Sequence, residues 1–101
     1  MAKFELSIYD TKTGEVEKTY QRNFMPVSLF IKFQKFSEEV TGNKVESDEA
    51  FYKKLKNLFV EMFPELTEAE YSNKTDAAEV IALFNTVLKK STTLEDSSKN
   101  V

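Results

Sequence analysis

The sequence predicts an α+β fold, mainly α-helical, in which an N-terminal β-hairpin packs on a small bundle of three main helices plus a short helical turn. Three observations support this prediction. Phe4, Leu6 and Ile8 alternate with polar residues, which is typical of a strand with one buried face. Gly14 closes a polar turn between two strand-like segments. After Pro26, apolar residues recur at helical spacing.

The hairpin and the first helix follow from turn and breaker residues. The returning strand is expected from Glu15 to Tyr20, a segment that contains Val, Thr and Tyr. Pro26 fits the first turn of a helix, because its missing N–H needs no partner there. That helix should run to about Val40 and end at Gly42, a glycine signal for a helix C-terminus.

The middle of the chain carries two further helix starts. Ser47 is expected to cap a second helix over residues 48–63, and Pro64 should end that helix. Thr67 and Glu70 form a capping-box pattern, which predicts a helix of only about one turn.

The last helix is expected over residues 76–90, with Thr75 as its N-cap. Residues 91–101 are mostly polar, and we expect them to form a flexible tail. A chain of 101 residues is large enough for one modest core and too small for two. The expected organisation is therefore a single domain over residues 1–90, followed by the tail.

Composition and charge argue against several functions. The chain has no cysteine and no histidine, which removes thiolate chemistry and the commonest general base and metal ligand. We therefore expect no enzymatic activity, no cofactor and no metal site. The net charge of −3 disfavours nucleic-acid binding. No apolar run is long enough to cross a membrane and the first residues do not resemble a signal peptide, so a cytoplasmic protein is expected.

The first two helices have more apolar residues than one buried stripe requires. Two interpretations remain open. Both helices could be packed on two sides within the monomer, or part of the surplus could contact another protein. The candidate partner-binding residues are Phe30, Ile31, Tyr52, Phe59 and Phe63.

Four segments of the chain carry a family resemblance: residues 3–20, the Phe24-Met25-Pro26 helix start, residues 58–71 and residues 76–81. They resemble the tail assembly chaperones of long-tailed phages (siphophages) that infect Gram-positive bacteria. The segment from Lys3 to Tyr20 and the Phe24-Met25-Pro26 helix start are similar to the beginning of that family. Residues 58–71 are similar to its middle region, and residues 76–81 to its closing helix. The resemblance covers about residues 3–90.

The resemblance implies a function in virion assembly. Chaperones of this family bind the tape measure protein, a very long and partly apolar helical chain, and keep it soluble until tail tube subunits polymerise around it. It further implies self-association, contact with the tail tube protein as a second possible partner, a location in the host cytoplasm and absence from the mature virion. Many members are also made in a longer, frameshifted form.

Two other functions remain open from the sequence. The chain could be a small phage or host adaptor that binds a protein partner stoichiometrically as a regulator. It could also be an accessory protein associated with nucleic acid, although its acidic charge argues against that function.

Overall fold

The computed structural model describes the backbone of residues 4–99 and the side chains of residues 4–89. It confirms the α+β, mainly α-helical fold class. Two antiparallel strands are followed by four helices. The elements are β1 (Phe4–Tyr9), β2 (Val16–Arg22), α1 (Val27–Thr41), α2 (Asp48–Met62), α3 (Glu68–Lys74) and α4 (Ala77–Lys99).

The hairpin turn is held by its own polar groups. The Asp10 carboxylate accepts hydrogen bonds from the backbone N–H groups of Lys12 (2.8 Å) and Thr13 (3.1 Å). Gly14 has φ +76°, a left-handed conformation that costs glycine little. A β-bulge between Ile8 and Tyr9 shifts the register near the turn.

The two strands of the hairpin differ in burial. Phe4, Leu6 and Ile8 of β1 are all buried in the core. Helices α3 and α4 pack against β1, whereas β2 lies on the outer side of the hairpin and is exposed along most of its length. The strand with the predicted alternation, β1, is therefore the strand that packs on the helices.

Aromatic side chains fill the space between the helices. Phe33 on α1 lies 6.2 Å from Phe59 on α2 and 6.2 Å from Phe84 on α4, between ring centroids. Phe36 lies 5.4 Å from Phe51 and 5.6 Å from Phe84. Because α1 contributes rings to both neighbours, its inner face joins α2 and α4 into one core.

Two predicted helix caps are confirmed. The Ser47 hydroxyl accepts a hydrogen bond from the Ala50 N–H (3.2 Å) and begins α2, which carries Asp48 in its first turn. Thr67 and Glu70 form the reciprocal capping box of α3. Helix α3 extends to Lys74 and is longer than the single turn expected.

Helix α1 ends at the predicted Gly42, whereas the predicted N-cap of α4 is wrong. Gly42 has φ −85°, and the left-handed residue after α1 is Asn43 at φ 56°. Asparagine tolerates that conformation because its short polar side chain bonds locally. Thr75 is not the N-cap of α4, since its hydroxyl donates to the Tyr71 carbonyl (2.6 Å) at the end of α3.

Helix α4 runs from Ala77 to Lys99, beyond the expected end near Lys90. The flexible tail expected over residues 91–101 therefore begins, in the structure, as a continuation of the helical backbone. Residues 100–101 lie outside the described residues. The mobility of this segment stays a prediction.

Candidate partner-binding surface

Phe59 and Phe63 are core residues, which corrects the expectation that they belong to an exposed surface. Their exposed fractions are 0% and 3%. The Phe59 ring lies 6.1 Å from the Tyr71 ring on α3, and the Phe63 ring lies 6.1 Å from the Tyr20 ring on β2. The second apolar stripe of α2 is thus covered by α3 and the hairpin, and neither side chain is available to a partner in this structure.

Phe30 and Tyr52 are half-buried and line different grooves. Phe30 lines a shallow depression between α1 and α4, next to Leu88. Tyr52 packs edge-on against Phe51, and its carbonyl accepts the Tyr71 hydroxyl (2.9 Å). These two candidates do not form one continuous surface.

Ile31 is the one candidate of the five that is exposed, and it has apolar neighbours in sequence. It is 42% exposed, Val27 is 74% exposed and Phe24 is 62% exposed. Val27 and Ile31 are four residues apart on α1 and therefore lie on the same face. We name Phe24, Val27 and Ile31 the α1 apolar surface.

This surface lies on the side of α1 that points away from the core. At about 100° per residue, Val27 and Ile31 are roughly opposite the buried residues Leu29, Phe33 and Phe36. Helices α2 and α4 pack against the inner side. Among the described residues no element packs over the outer side, so these apolar side chains meet solvent.

Arg22 supports the Phe24 end of the surface. Its guanidinium carbon lies 5.0 Å from the centroid of the Phe24 ring, a cation–π geometry. The same guanidinium donates to the carbonyls of Met62 (2.6 Å) and Glu61 (3.2 Å) at the end of α2. A cation is favoured there by the helix dipole. Arg22 thereby links the hairpin, the end of α2 and the exposed ring.

Ion pairs close the seam between α1 and α2 beside this surface. Lys32 lies 2.7 Å from Glu61, and Lys54 lies 3.4 Å from Glu39. Each pair is roughly half-exposed and stabilises the fold only slightly. Both pairs are made within the monomer, between α1 and α2.

Glu70 on α3 connects the hairpin to that helix, as Arg22 connects it to the end of α2. The Glu70 carboxylate accepts the Tyr20 hydroxyl (2.7 Å) and the Thr67 N–H (3.1 Å), and it pairs with Lys18 at 2.7 Å. The hydrogen bond from Lys18, with those from Tyr20 and Thr67, lowers the pKa of Glu70 to about 2 despite partial burial. The charged carboxylate is therefore favoured in the folded state.

A groove of about 550 Å³ runs between α2, α3 and the start of α4. Tyr52, Tyr71 and Val80 form part of its wall. Across its mouth Lys56 pairs with Glu68 at 3.0 Å. Within the part of the chain that the structure describes, no three acidic side chains converge closely enough to hold a metal ion.

The sequence-based candidates missed two of the three residues of the α1 apolar surface. Val27 was visible as part of the wide apolar arc of the first helix, four residues before Ile31. Phe24 lies outside the helix and follows no period. Its exposure depends on Arg22 and the course of the chain before Pro26, which periodicity does not describe.

Comparison of the chain with protein-family models, curated proteins and solved structures finds no match. None of the helices within residues 4–99 combines the length and the apolar character that a membrane span requires.

Proposed function

We propose that this protein is a non-catalytic tail assembly chaperone that binds and solubilises a phage tape measure protein in the host cytoplasm. The observation that carries the proposal is the α1 apolar surface, whose three residues Phe24, Val27 and Ile31 are each exposed. The resemblance of residues 3–90 to the tail assembly chaperones supports the choice of client.

The α1 apolar surface fits the apolar face of an amphipathic helix. Phe24, Val27 and Ile31 expose on the order of 300 Å² of apolar area, within the range of functional patches on small proteins. A stable dimer interface buries about 800 Å² per partner, so this patch by itself is too small for one. A client helix that inserts a few apolar side chains is the occupant that matches its size.

The small area also suits a chaperone that must later release its client. A contact of this size gives weak binding at one site, and several copies along a long client would bind by avidity. Growing tail tube could then displace them one at a time. The proposal thus needs many weak contacts rather than one strong contact.

Co-expression tests the proposal. The tape measure protein encoded nearby is expressed with and without this chain, and its soluble fraction is compared. The double variant Val27→Ser, Ile31→Ser should lose client solubilisation while remaining folded. The matched control is Val16→Ser, because Val16 is 54% exposed but lies on the hairpin, outside the α1 apolar surface.

The outcomes separate the candidate functions. Solubilisation that is lost in the double variant and kept in the control supports the proposal. A client that stays insoluble beside folded wild-type protein overturns it and leaves the adaptor function, with a different partner. Solubilisation that survives the double variant would move the client site elsewhere on the molecule.

A further inference from the structure

Within the described residues no third strand pairs with the outer edge of β2, and residues 19–22 of this strand line a groove with residues 62–65. The described sheet has two strands, and α3 and α4 pack against β1. Along β2 five of seven residues are exposed, and Tyr20 and Arg22 are half-buried. A two-stranded sheet is marginal in water, and an uncovered edge strand exposes backbone groups that can pair with another strand.

The charges of β2 do not protect this edge. Natural edge strands are often shielded by free charged side chains. Here Glu17 pairs with Lys74 at 2.8 Å, and Lys18 pairs with Glu70 at 2.7 Å. Arg22 donates to the Met62 carbonyl at 2.6 Å. All three charges of β2 are therefore matched by other parts of the same chain.

We infer that β2 pairs antiparallel with β2 of a second copy of this chain, so that two hairpins form a four-stranded sheet with Thr19 at its two-fold axis. Thr19 lies opposite Ser7 within the monomer, on the face of the hairpin away from the core. When Thr19 lies opposite Thr19 of the second copy, residues of the core face are paired with residues of the core face. The helices of both copies then lie on one face of the sheet.

The charge pattern of β2 selects this register. Pairing about Thr19 places Lys18 opposite Tyr20, and Lys18 already lies 5.3 Å from the Tyr20 ring centroid within one chain. It also places Glu17 opposite Gln21, so no like charges are opposed. Pairing about Tyr20 would oppose Lys18 and Arg22, and pairing about Lys18 would oppose two lysines. In a parallel, in-register arrangement each charged residue of β2 would lie opposite the same residue of the second copy.

This interface is isologous and closed, because the same strand is used by both copies. It would be held by backbone hydrogen bonds between the strands, which do not require the apolar area of a side-chain interface. It leaves the α1 apolar surface free. The inference therefore does not depend on the client, and it is tested on the purified protein alone.

Cross-linking provides the sharpest test, since the natural chain contains no cysteine. Directly opposed residues of antiparallel strands lie about 4.5–5.5 Å apart between Cα atoms, within the range a disulfide bridges. Thr19→Cys should give a covalent dimer on mild oxidation. Gln21→Cys is the matched control on the same strand. Its two cysteines would lie four residues apart in register, so this variant should form no covalent dimer.

The mass in solution gives an independent measurement. Light scattering across a concentration series should show the wild-type mass rising from one chain to two. Thr19→Lys, which opposes two like charges, should stay at the mass of one chain, whereas Thr19→Gln should behave as wild type. Circular dichroism checks that each variant is folded. A wild-type monomer at every concentration, or a dimer that Thr19→Cys does not trap, overturns the inference.

Discussion

Helices α1 and α2 carry the same surplus of apolar residues, yet only α1 leaves its surplus exposed. On α2, Phe59 and Phe63 are buried beneath α3 and the hairpin. On α1, Val27 and Ile31 have no cover among the described residues and are 74% and 42% exposed. A wide apolar arc on a helix therefore predicts that the arc contacts another element of the chain or another molecule. Whether that contact is intramolecular depends on how many elements surround the helix.

The largest effect is expected for Phe59→Ala in α2. Removing a fully buried ring leaves a cavity among Phe33 and Tyr71, which should lower the free energy of unfolding by about 3–5 kcal/mol. Urea denaturation followed by circular dichroism measures it. Ile31→Ala is the matched change on α1 and should cost less than about 1 kcal/mol. Equal costs would abolish the distinction between the two helices.

A smaller loss is expected for Glu70→Gln, which weakens the attachment of the hairpin that covers Phe63. The variant loses the charged acceptor for Lys18 and Tyr20, and the free energy of unfolding should fall by about 1–2 kcal/mol. Glu68→Gln is the control, because Glu68 is 76% exposed and pairs only with Lys56 among the charges described. An unchanged stability in Glu70→Gln would show that the anchor is not what holds the hairpin down.

The same carboxyl group predicts a pH dependence. Folding lowers the pKa of Glu70 from its ordinary value of 4.5 to about 2, so the stabilisation is present above about 4.5. It should be lost progressively as the pH falls from 4.5 toward 2, and Glu70→Gln should flatten that part of the stability profile. Denaturant midpoints measured at several pH values check this. Parallel profiles for the two proteins would contradict it.

The side-chain cap of α2, which α1 lacks, should contribute about 1 kcal/mol to the free energy of unfolding. Ser47→Ala removes the hydroxyl that accepts the Ala50 N–H and should cost that amount. Helix α1 begins after Pro26 without a side-chain cap, so Ser28→Ala in its first turn should be nearly neutral. Thermal unfolding of both variants tests the contrast. A comparable loss from Ser28→Ala would mean that its hydroxyl stabilises α1 in another way.

The smallest effect on stability is expected where the effect on function is largest. Val27→Ser and Ile31→Ser should each change the free energy of unfolding by no more than about 0.5 kcal/mol, because the side chains already meet solvent. Urea denaturation measures this beside the client assay. A loss above about 2 kcal/mol would place these residues in the core and remove the α1 apolar surface as a partner site.

Local signals predicted most of the fold. The alternation of Phe4, Leu6 and Ile8, the Ser47 cap and the Thr67 capping box each act within a few residues, and all are found in the structure. The wrong predictions each concern only a few residues. They failed because the outcome depends on contacts distant in sequence or on competing local signals. Thr75 could end one helix or begin the next, and its hydroxyl bonds back to Tyr71.

The candidate site was predicted only in part. Periodicity identified Ile31 and Phe30 on the wide first helix, and it chose Phe59 and Phe63 by the same rule. No spacing rule distinguishes an apolar residue covered by a hairpin from one covered by nothing. Phe24 had no periodic signal, since it lies before the helix and is positioned by Arg22 from β2.

Three features follow from the amino-acid sequence alone: the order and type of the elements, the turn at Gly14 and the apolar faces of each helix. They depend on neighbours within one or two turns of the chain. Which apolar faces are buried, and which strand edge has no partner strand, depends on the tertiary contacts. Burial is set by contacts between residues far apart in sequence, such as Tyr20 with Phe63. The outer face of α1 and the edge of β2 are what those contacts leave exposed.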